Sequence, residues 1–212
     1  MKLIYEGPVD GPLFIFAHGA GAGADSTFMV NIAQGLALRG IRVARFNFPY
    51  MQQLIDSGKR RPPERAPKLI AQFATLIADI DKPIVIGGKS MGGRIATLLA
   101  AQLSSENKGE AIKGVACLGF PFHPVGKTDK LRTEHFPLIK QDLLIVQGER
   151  DTMGNKQEVE HYGLPDTIDW LWLEDGDHDL KPRVKSGFTQ QSHLQRTMDK
   201  LAAYIKNAVT KG

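Results

Sequence analysis

The stretch Gly88-Lys89-Ser90-Met91-Gly92 follows the apolar run Pro83-Ile84-Val85-Ile86 and comes directly before a helix-forming segment. This order predicts a buried strand, a very tight turn with Ser90 at its apex, and a helix. The two glycines have a steric reason, because a serine in a strained backbone conformation leaves no room for Cβ atoms two residues before and after it. Such a turn would lift the Ser90 hydroxyl clear of the sheet and aim the next backbone N–H at the same point. The alternative is that Ser90 is a simple turn residue.

Apolar runs alternate with stretches of helical periodicity along the rest of the chain. Short, nearly all-apolar runs are typical of parallel strands that are buried on both faces. They occur at residues 13–17, 41–46, 84–87, 112–118, 143–146 and 168–173. Helical patterns lie between most of these runs. The sequence therefore predicts an α/β fold, with a mainly parallel twisted sheet and helices on both faces.

Residues 1–212 are predicted to form a single domain. No domain-sized linker or internal repeat interrupts the pattern, and residues 120–141 are too few to hold a separate lid domain. Residues 51–65 are polar and contain Pro62-Pro63, so they are predicted to be a loop. A short helix is expected around residues 156–161. The last helix is expected to open with a capping box that begins at Ser192, which would leave His193 on the surface.

Charge and composition limit the classes of partner. The chain is 42% hydrophobic and 24% charged, and its net charge of +4 comes from positive residues scattered among acidic ones. One basic run, Lys59-Arg60-Arg61, lies in a proline-rich loop, where a solvated loop and a phosphate or nucleic-acid site are the alternatives. No nucleic-acid-binding motif accompanies this run, so we predict no nucleic-acid partner.

The sequence also lacks the usual targeting and membrane signals. The first residues have no long apolar region, and no stretch approaches the roughly 20 apolar residues of a membrane span. We therefore expect a cytoplasmic protein that does not bind a membrane. The single cysteine, Cys117, lies in an apolar run and is predicted to be buried. No group of histidine, cysteine and carboxylate has metal-ligand spacing, so no metal or cofactor is expected. A monomer is compatible with the sequence, which does not specify an oligomeric state.

Two later loops offer Ser90 a base and an acid. A serine hydroxyl is a poor nucleophile until a base takes its proton, and that base needs a carboxylate to hold its tautomer. In an open α/β sheet such groups lie on loops at the carboxyl ends of strands. Asp151 follows the predicted strand at residues 143–146, and His178 follows the one at residues 168–173. The chain order of serine, acid and histidine is similar to that of α/β-hydrolases.

Other residues compete for these roles. Asp151 has helix capping as its alternative role. Glu149 and Asp175 are rival acids, as is Asp177, although it adjoins His178 and is not expected to turn to meet the ring. The rival histidines are His18, His123, His135, His161 and His193. His161 and His193 lack the loop placement of His178.

Acyl transfer also requires fixed donors for the negative charge that develops on the carbonyl oxygen. Met91 N–H is predicted to be one donor, because Met91 opens the helix after Ser90. The other is expected in the glycine-rich loop at residues 18–23, with Ala20 N–H preferred and Gly21 N–H as the alternative. Gly21 is also expected to line the substrate site. The loop lacks the ending of a P-loop, and no acid about twenty residues later supports a dinucleotide site, so phosphate binding is disfavoured.

Three further residues lie close to this predicted site. Lys89 would bind an acidic group of the substrate or favour the ionised form of Ser90. Alternatively, its stem packs against neighbouring loops while its amine reaches solvent. His123 is expected to line the substrate pocket, with a purely structural loop residue as the alternative. Arg94, one turn into the helix, is expected to form a structural ion pair.

These motifs resemble the α/β-hydrolase superfamily over nearly the whole chain. The closer likeness is to a small, lidless group near the dienelactone hydrolases. It is carried by His-Gly-Ala-Gly at residues 18–21, Gly-Gly-Lys-Ser-Met-Gly-Gly-Arg at residues 87–94 and Phe-Pro-Phe-His-Pro at residues 120–124. Dienelactone hydrolases use a cysteine nucleophile, whereas this chain has Ser90, so their substrate does not carry over. The resemblance implies a serine hydrolase of unassigned substrate.

The predicted function is hydrolysis of an ester or thioester of a small acyl group, so the expected partner is a small molecule. Ser90 would attack, His178 would move the proton and Asp151 would orient His178. The backbone N–H groups of Met91 and Ala20 would hold the oxyanion, and residues 50–65 and 120–141 would form the rim of the pocket. Some members of the group are known as subunits of chromatin complexes. The alternative is therefore a non-catalytic hydrolase-fold protein that binds a protein partner.

Overall fold

Seven strands form a mostly parallel sheet in the computed structural model, which describes residues 1–59 and 61–210. The strands are β1 (Leu3–Glu6), β2 (Leu13–Ala17), β3 (Arg42–Phe46), β4 (Ile84–Lys89), β5 (Ile112–Leu118), β6 (Asp142–Gly148) and β7 (Asp169–Leu173). Their order across the sheet is β1-β3-β2-β4-β5-β6-β7. Strand β1 runs antiparallel to β3, and the other neighbouring pairs are parallel. The predicted α/β fold with a mainly parallel sheet is confirmed.

Helices cover both faces of this sheet, as predicted. They are α1 (Thr27–Ala37), α2 (Pro49–Ser57), α3 (Ala66–Ile77), α4 (Met91–Ser105), α5 (Lys156–Val159) and α6 (Gln190–Thr210). Single 3₁₀ turns lie at Phe136–Leu138 and Val184–Ser186. Helices α3 and α4 contribute to the core on one face, and α1 and α6 contribute to the core on the other.

Strand β2 shows how one strand fills both cores. All of its residues are buried, and they alternate between the faces of the sheet. Ile15 packs in the core with α3 and α4, while Phe14 and Phe16 pack in the core with α1 and α6. Burying one such side chain contributes about 1.5–3 kcal/mol. A strand covered on both faces buries a side chain at every position, which is why its sequence is continuously apolar.

Cys117, in β5, is fully buried, as predicted. Burial raises the pKa of its thiol well above the ordinary value, because the thiolate would have to form in apolar surroundings. The cysteine therefore behaves as a small core residue.

The prediction of a loop at residues 51–65 is wrong in its first half, which belongs to α2. Only Tyr50 and Met51 are buried in this helix, so its apolar periodicity is weak in the sequence. Pro49 lies in the first turn, where its missing N–H leaves no helical hydrogen bond unmade. Gly58 ends the helix in the left-handed conformation, with a φ of 67°.

The other differences lie at the ends of elements. Strand β1 is a four-residue, partly exposed edge strand that the sequence pattern does not reveal. Helix α6 begins before Ser192, because Thr189 caps it: Ser192 N–H donates to Thr189 Oγ1 at 3.0 Å, and Thr189 N–H donates to Ser192 Oγ at 3.1 Å. His193 is fully buried rather than exposed, which corrects the prediction. The helix expected at residues 156–161 is the single turn α5, capped by Asn155.

Parallel pairing brings several loops to the same edge of the sheet. The glycine-rich loop follows β2, Ser90 follows β4, Asp151 follows β6 and His178 follows β7. Because these strands run in the same direction, the four segments meet at their carboxyl ends. Within the described ranges, none of the helices has the length and apolar composition needed to cross a lipid bilayer. Of the basic run at residues 59–61, Arg60 lies outside the described residues, and both neighbours are exposed.

Candidate active site

Ser90 has a strained backbone between β4 and α4. Its φ is 51° and its ψ is −116°, a conformation whose strain is about 1–3 kcal/mol for a residue with a side chain. A Cβ on Gly88 would lie 2.4 Å from the carbonyl carbon of Gly92, and a Cβ on Gly92 would lie 2.3 Å from the carbonyl oxygen of Ala17. Both distances are far inside van der Waals contact. The turn therefore requires glycine two residues before and two residues after Ser90.

Ser90, His178 and Asp151 form a continuous chain of hydrogen bonds. The Ser90 hydroxyl lies 2.8 Å from His178 Nε2, and His178 Nδ1 lies 2.7 Å from Asp151 Oδ2. A carboxylate can only accept hydrogen bonds, so Nδ1 carries the proton and Nε2 is free to accept from the hydroxyl. Asp151 is fully buried, whereas the His178 side chain is 26% exposed. The structure thus brings together the three residues that the sequence nominated separately.

The protein supplies Asp151 with donors on both carboxylate oxygens. Gln147 Nε2 donates to Oδ2 at 2.9 Å, and Met153 N–H donates to Oδ1 at 2.8 Å. Gln147 is itself fully buried and is held by Phe120, whose N–H donates to Gln147 Oε1 at 2.7 Å. These hydrogen bonds offset the cost of removing the Asp151 carboxylate from water, and they hold it in the orientation in which Oδ2 faces His178.

The rival acids are engaged elsewhere. Glu149 forms an ion pair with Lys156 at 2.9 Å. Asp175 pairs with Arg183, and the hydrogen bonds from that guanidinium lower the pKa of Asp175 to about 2. Asp177 Oδ1 accepts the backbone N–H groups of residues 179 and 181. Among these candidates, Asp151 is the acid whose carboxylate faces the ring of His178.

His18 has a structural position beneath the glycine-rich loop. Its Nε2 accepts the Phe48 N–H at 3.1 Å, so its Nδ1 carries the proton and donates to the Gly19 carbonyl at 2.6 Å. Burial lowers the pKa of His18, which keeps the ring neutral in this arrangement. The remaining rivals bond to groups away from Ser90: His123 to Glu158, His135 to Thr97, His161 to Gln157 and His193 to Leu180.

The two residues that are predicted to supply oxyanion donors, Met91 and Ala20, line the same cavity as Ser90. Met91 is the first residue of α4, so its N–H has no acceptor within the helix. The Ala20 N–H makes no hydrogen bond within the described part of the chain. The Gly19 carbonyl faces His18, and the Ala20 carbonyl accepts the Tyr50 hydroxyl at 3.1 Å. Because C=O and N–H point in opposite directions across a trans peptide, these contacts turn the N–H groups of Ala20 and Gly21 away from His18 and Tyr50.

Two cavities open beside Ser90. The arginine cavity measures about 330 Å³, and its lining includes Ser90, Met91, Arg94, Arg132, Pro63 and Pro121. The histidine cavity measures about 510 Å³, and its lining includes Ser90, His178, Lys89, Phe28 and Gly21. Ala20 lines both. Both segments that were predicted to form the rim, residues 50–65 and 120–141, contribute to the arginine cavity.

Lys89 binds the loop that carries His178. Its Nζ donates to the His178 carbonyl oxygen at 2.7 Å and lies 3.2 Å from Asp179 Oδ1. The side chain is only 9% exposed and its amine is bonded within the protein, which disfavours the alternative of a solvated amine. Burial lowers the pKa of Lys89, and the charge of Asp179 partly offsets that effect. Gly119 allows this close approach, since a Cβ there would lie 2.7 Å from the His178 carbonyl oxygen.

His123 and Arg94 differ from their predictions. His123 is 1% exposed, and its ring nitrogens face the Pro124 carbonyl and Glu158, away from the lining of both cavities described above. This favours the structural alternative over substrate binding. Arg94 was expected to form an ion pair, but it makes no salt bridge with any carboxylate of residues 1–59 and 61–210. Instead it lines the arginine cavity.

The sequence also matches a known family. The model of a family described as an alpha/beta hydrolase domain aligns with residues 10–206. The chain belongs to the α/β-hydrolase family. The predicted superfamily is therefore confirmed, and the match extends over nearly all of the chain.

Solved structures of other α/β-hydrolases share this fold. Est1E from Butyrivibrio proteoclasticus, with ferulic acid bound, is 13% identical, with a TM-score of 0.71 over 99% of this chain and 95% of that one. The dienelactone hydrolase from Anabaena variabilis is 18% identical, with a TM-score of 0.64 over 94% and 90%. The esterase domain of a Rhodothermus marinus protein is 16% identical, with a TM-score of 0.65 over 96% and 91%. At these identities the likeness shows the fold.

Sequence reasoning missed three residues of this candidate site. Gln147 could have been found, because it is a polar residue at the end of an otherwise apolar strand. Tyr50 stands next to the proline that opens α2, and that helix was itself missed. Arg132 lies in a polar connection without periodicity, so its approach to Ser90 depends on tertiary structure alone.

Proposed function

We propose that this protein hydrolyses a carboxylic ester or thioester of a small acyl group. Ser90 Oγ attacks the carbonyl carbon while His178 Nε2 takes the hydroxyl proton. The bond from the carbonyl carbon to the leaving oxygen or sulfur then breaks, and His178 returns the proton to that atom. Water attacks the acyl-serine in the second half of the reaction, and His178 takes its proton. The bond from the carbonyl carbon to Ser90 Oγ then breaks, and His178 returns the proton to Ser90 Oγ. The products are the free acid and an alcohol or thiol.

The observation that carries this proposal is the hydrogen-bond chain from Ser90 to His178 to Asp151, with distances of 2.8 and 2.7 Å. A serine gains nucleophilicity only when a base is within reach of its proton, and the base is effective only in the correct tautomer. Asp151 enforces that tautomer and stabilises the imidazolium that forms. A protein that only bound a partner would have no need of this arrangement.

In this reaction the backbone N–H groups of Met91 and Ala20 stabilise the negative charge that develops on the carbonyl oxygen. Loss of one such donor typically lowers kcat by about 10²–10³. Ser90 lines two cavities of about 330 and 510 Å³, and such volumes suit small acyl and leaving groups. The fold neighbours described as an esterase domain and a dienelactone hydrolase are consistent with this class of reaction.

Labelling with a fluorophosphonate probe tests the proposal directly. The wild-type protein should be labelled at a single serine, and Ser90→Ala should abolish labelling while keeping the circular dichroism spectrum and melting temperature. Ser26→Ala is the matched control, because Ser26 lines the histidine cavity but lies outside the hydrogen-bond chain. Labelling that survives in Ser90→Ala would place the nucleophile elsewhere. Absence of labelling in the wild-type protein would favour the non-catalytic alternative.

Turnover should then be measured with short p-nitrophenyl esters and with acyl thioesters. We expect short acyl groups to be hydrolysed faster than long ones, because cavities of about 330 and 510 Å³ hold only small groups. Efficient hydrolysis of long-chain triglycerides would contradict this size class.

A further inference from the structure

The arginine cavity holds two guanidinium groups that the protein does not neutralise. Arg94 lies four residues after Ser90 on α4, and Arg132 comes from the connection between β5 and β6. Arg94 Nε is fully buried and has no hydrogen-bond partner. Arg132 Nη1 makes one long contact of 3.5 Å with the Pro121 carbonyl. Within residues 1–59 and 61–210, neither guanidinium forms a salt bridge.

The nearby carboxylates do not neutralise the positive charge of Arg94 and Arg132. Burial lowers the pKa of Arg94, and the neighbouring charge of Arg132 lowers it further. Glu64 lines the same cavity, but its carboxylate is already bonded to Lys68 and Gln72. Glu134 is exposed and acts on Arg94 only through its charge at longer range. An unpaired, partly desolvated guanidinium is unfavourable, so a bound anion would complete this cavity.

The position of His178 separates the roles of the two cavities. In the proposed reaction His178 must deliver a proton to the leaving group. His178 lines the histidine cavity and is absent from the lining of the arginine cavity. The leaving group therefore occupies the histidine cavity, and the acyl part extends into the arginine cavity. An anionic group that binds Arg94 and Arg132 is therefore part of the acyl group of the substrate.

We propose that the substrate is a half-ester or half-thioester of a short dicarboxylic acid, whose free carboxylate binds Arg94 and Arg132. This inference rests on the proposed function. A guanidinium offers planar pairs of donors that match the two oxygens of a carboxylate. Arg94 lies one helical turn from Ser90, about 6 Å along the axis of α4. A carbonyl at Ser90 and a carboxylate at the arginine pair are then joined by a short chain, on the order of two to four methylene groups.

The test compares acyl groups of equal size on the same leaving group. The probes are the N-acetylcysteamine thioesters of succinate, glutarate and their neutral half-amides. Wild-type protein should hydrolyse the carboxylate forms about 10- to 100-fold more efficiently in kcat/KM. Arg94→Met and Arg132→Gln should each remove most of that preference through KM. The readout is the ratio of carboxylate to half-amide kcat/KM within each variant, so that any general effect on Ser90 cancels.

Lys130→Gln is the matched control, because Lys130 is an exposed cation two residues before Arg132. It should keep the full preference. Equal rates for the carboxylate and amide forms would overturn the proposal while leaving the hydrolase function intact.

Equilibrium binding tests the same inference without catalysis. Succinate or glutarate should bind Ser90→Ala in calorimetric titrations, and binding should weaken about 10-fold or more in Ser90→Ala/Arg132→Gln. Butanoate, which lacks the second carboxylate, should bind much more weakly than either. If the dicarboxylates bind no better than butanoate, the inference is wrong whether or not the protein is an enzyme. Failure of the fluorophosphonate label would remove the proposed function and the substrate with it, but not the carboxylate-binding site that this titration measures.

Discussion

Asp151 is linked to Ser90 through His178, whereas Arg94 lines a cavity beside Ser90, and the protein pairs these two charges differently. Asp151 is fully buried and accepts hydrogen bonds from His178, Gln147 and Met153. Arg94 is half-buried, has a buried Nε without a partner, and faces the like charge of Arg132. A charged side chain whose hydrogen bonds are all made within the protein has a role in holding the site together. A charged side chain that lacks partners within the protein is suited to bind a ligand of opposite charge. The predictions below test that contrast, starting with the largest expected effect.

Asp151→Asn should lower kcat by about 10⁴, following the precedent of serine proteases. Three donors face the carboxylate, and an asparagine offers only one acceptor atom, so its NH₂ group must oppose a donor and His178 loses its enforced tautomer. The measurement is kcat on a short ester, with folding checked by circular dichroism. Asp175→Asn is the control and should retain activity. If Asp175→Asn is the damaging change and Asp151→Asn is not, the acid has been misassigned.

Gln147→Leu should lower kcat by about 10- to 100-fold and the free energy of unfolding by about 1–3 kcal/mol. The substitution leaves Phe120 N–H without its acceptor and Asp151 Oδ2 without one donor. Steady-state kinetics and urea unfolding measure the two effects. A variant that unfolds more easily but keeps wild-type kcat would show that Gln147 supports the fold and not the orientation of Asp151.

Lys89→Met should lower kcat about 10-fold with little change in KM for a neutral ester. Methionine keeps most of the buried stem but cannot donate to the His178 carbonyl, so the loop that carries the proposed base is held less firmly. The ratio of kcat to KM effects distinguishes this role from substrate binding. A change in KM with kcat intact would restore the original hypothesis that Lys89 contacts the substrate.

Arg94→Met should leave the free energy of unfolding unchanged or raise it by about 0.5–1.5 kcal/mol. The substitution removes an unpaired, partly buried charge and its repulsion by Arg132, while it keeps apolar packing. Urea unfolding at neutral pH is the measurement, with Lys130→Gln as the neutralising control. A clear loss of stability would mean that Arg94 makes stabilising interactions within the protein.

His135→Gln should reduce the acid sensitivity of folding. Burial, followed by the charge of Arg94, lowers the pKa of His135 from its ordinary value of 6.5 to about 4. The folded state therefore keeps the ring neutral, while the unfolded chain takes up a proton below pH 6.5, so stability falls as the pH drops from about 6.5 to about 4. After allowance for partial exposure, this loss is on the order of 1 kcal/mol. Unfolding at pH 7.5 and pH 5 should show a smaller difference in His135→Gln than in wild type. An equal difference would contradict the assignment.

The parts of the structure that could be predicted from the sequence are those with local causes. Strands covered on both faces need continuous apolar runs, and the turn at Ser90 needs glycine at two defined positions, so both are visible in the residues themselves. The proximity of Asp151 and His178 to Ser90 could be predicted, because the loops that follow parallel strands lie at the same edge of the sheet. Helix α2 could not be predicted, since it buries only Tyr50 and Met51 and so has little apolar periodicity. The position of Arg132 could not be predicted, because the sequence of a polar connection does not indicate which cavity its side chains will line.

The burial of Cys117 has a practical consequence for chemistry at the site. The chain has no other cysteine, and a Cβ on neighbouring Gly93 would lie 3.2 Å from Cys117 Sγ, so the thiol is enclosed by the start of α4. Thiol-reactive dyes have no accessible target on the folded protein. Release of a thiol from a thioester can therefore be followed continuously without background from the protein. Oxidants that inactivate cysteine nucleophiles should also leave a hydroxyl nucleophile at Ser90 working.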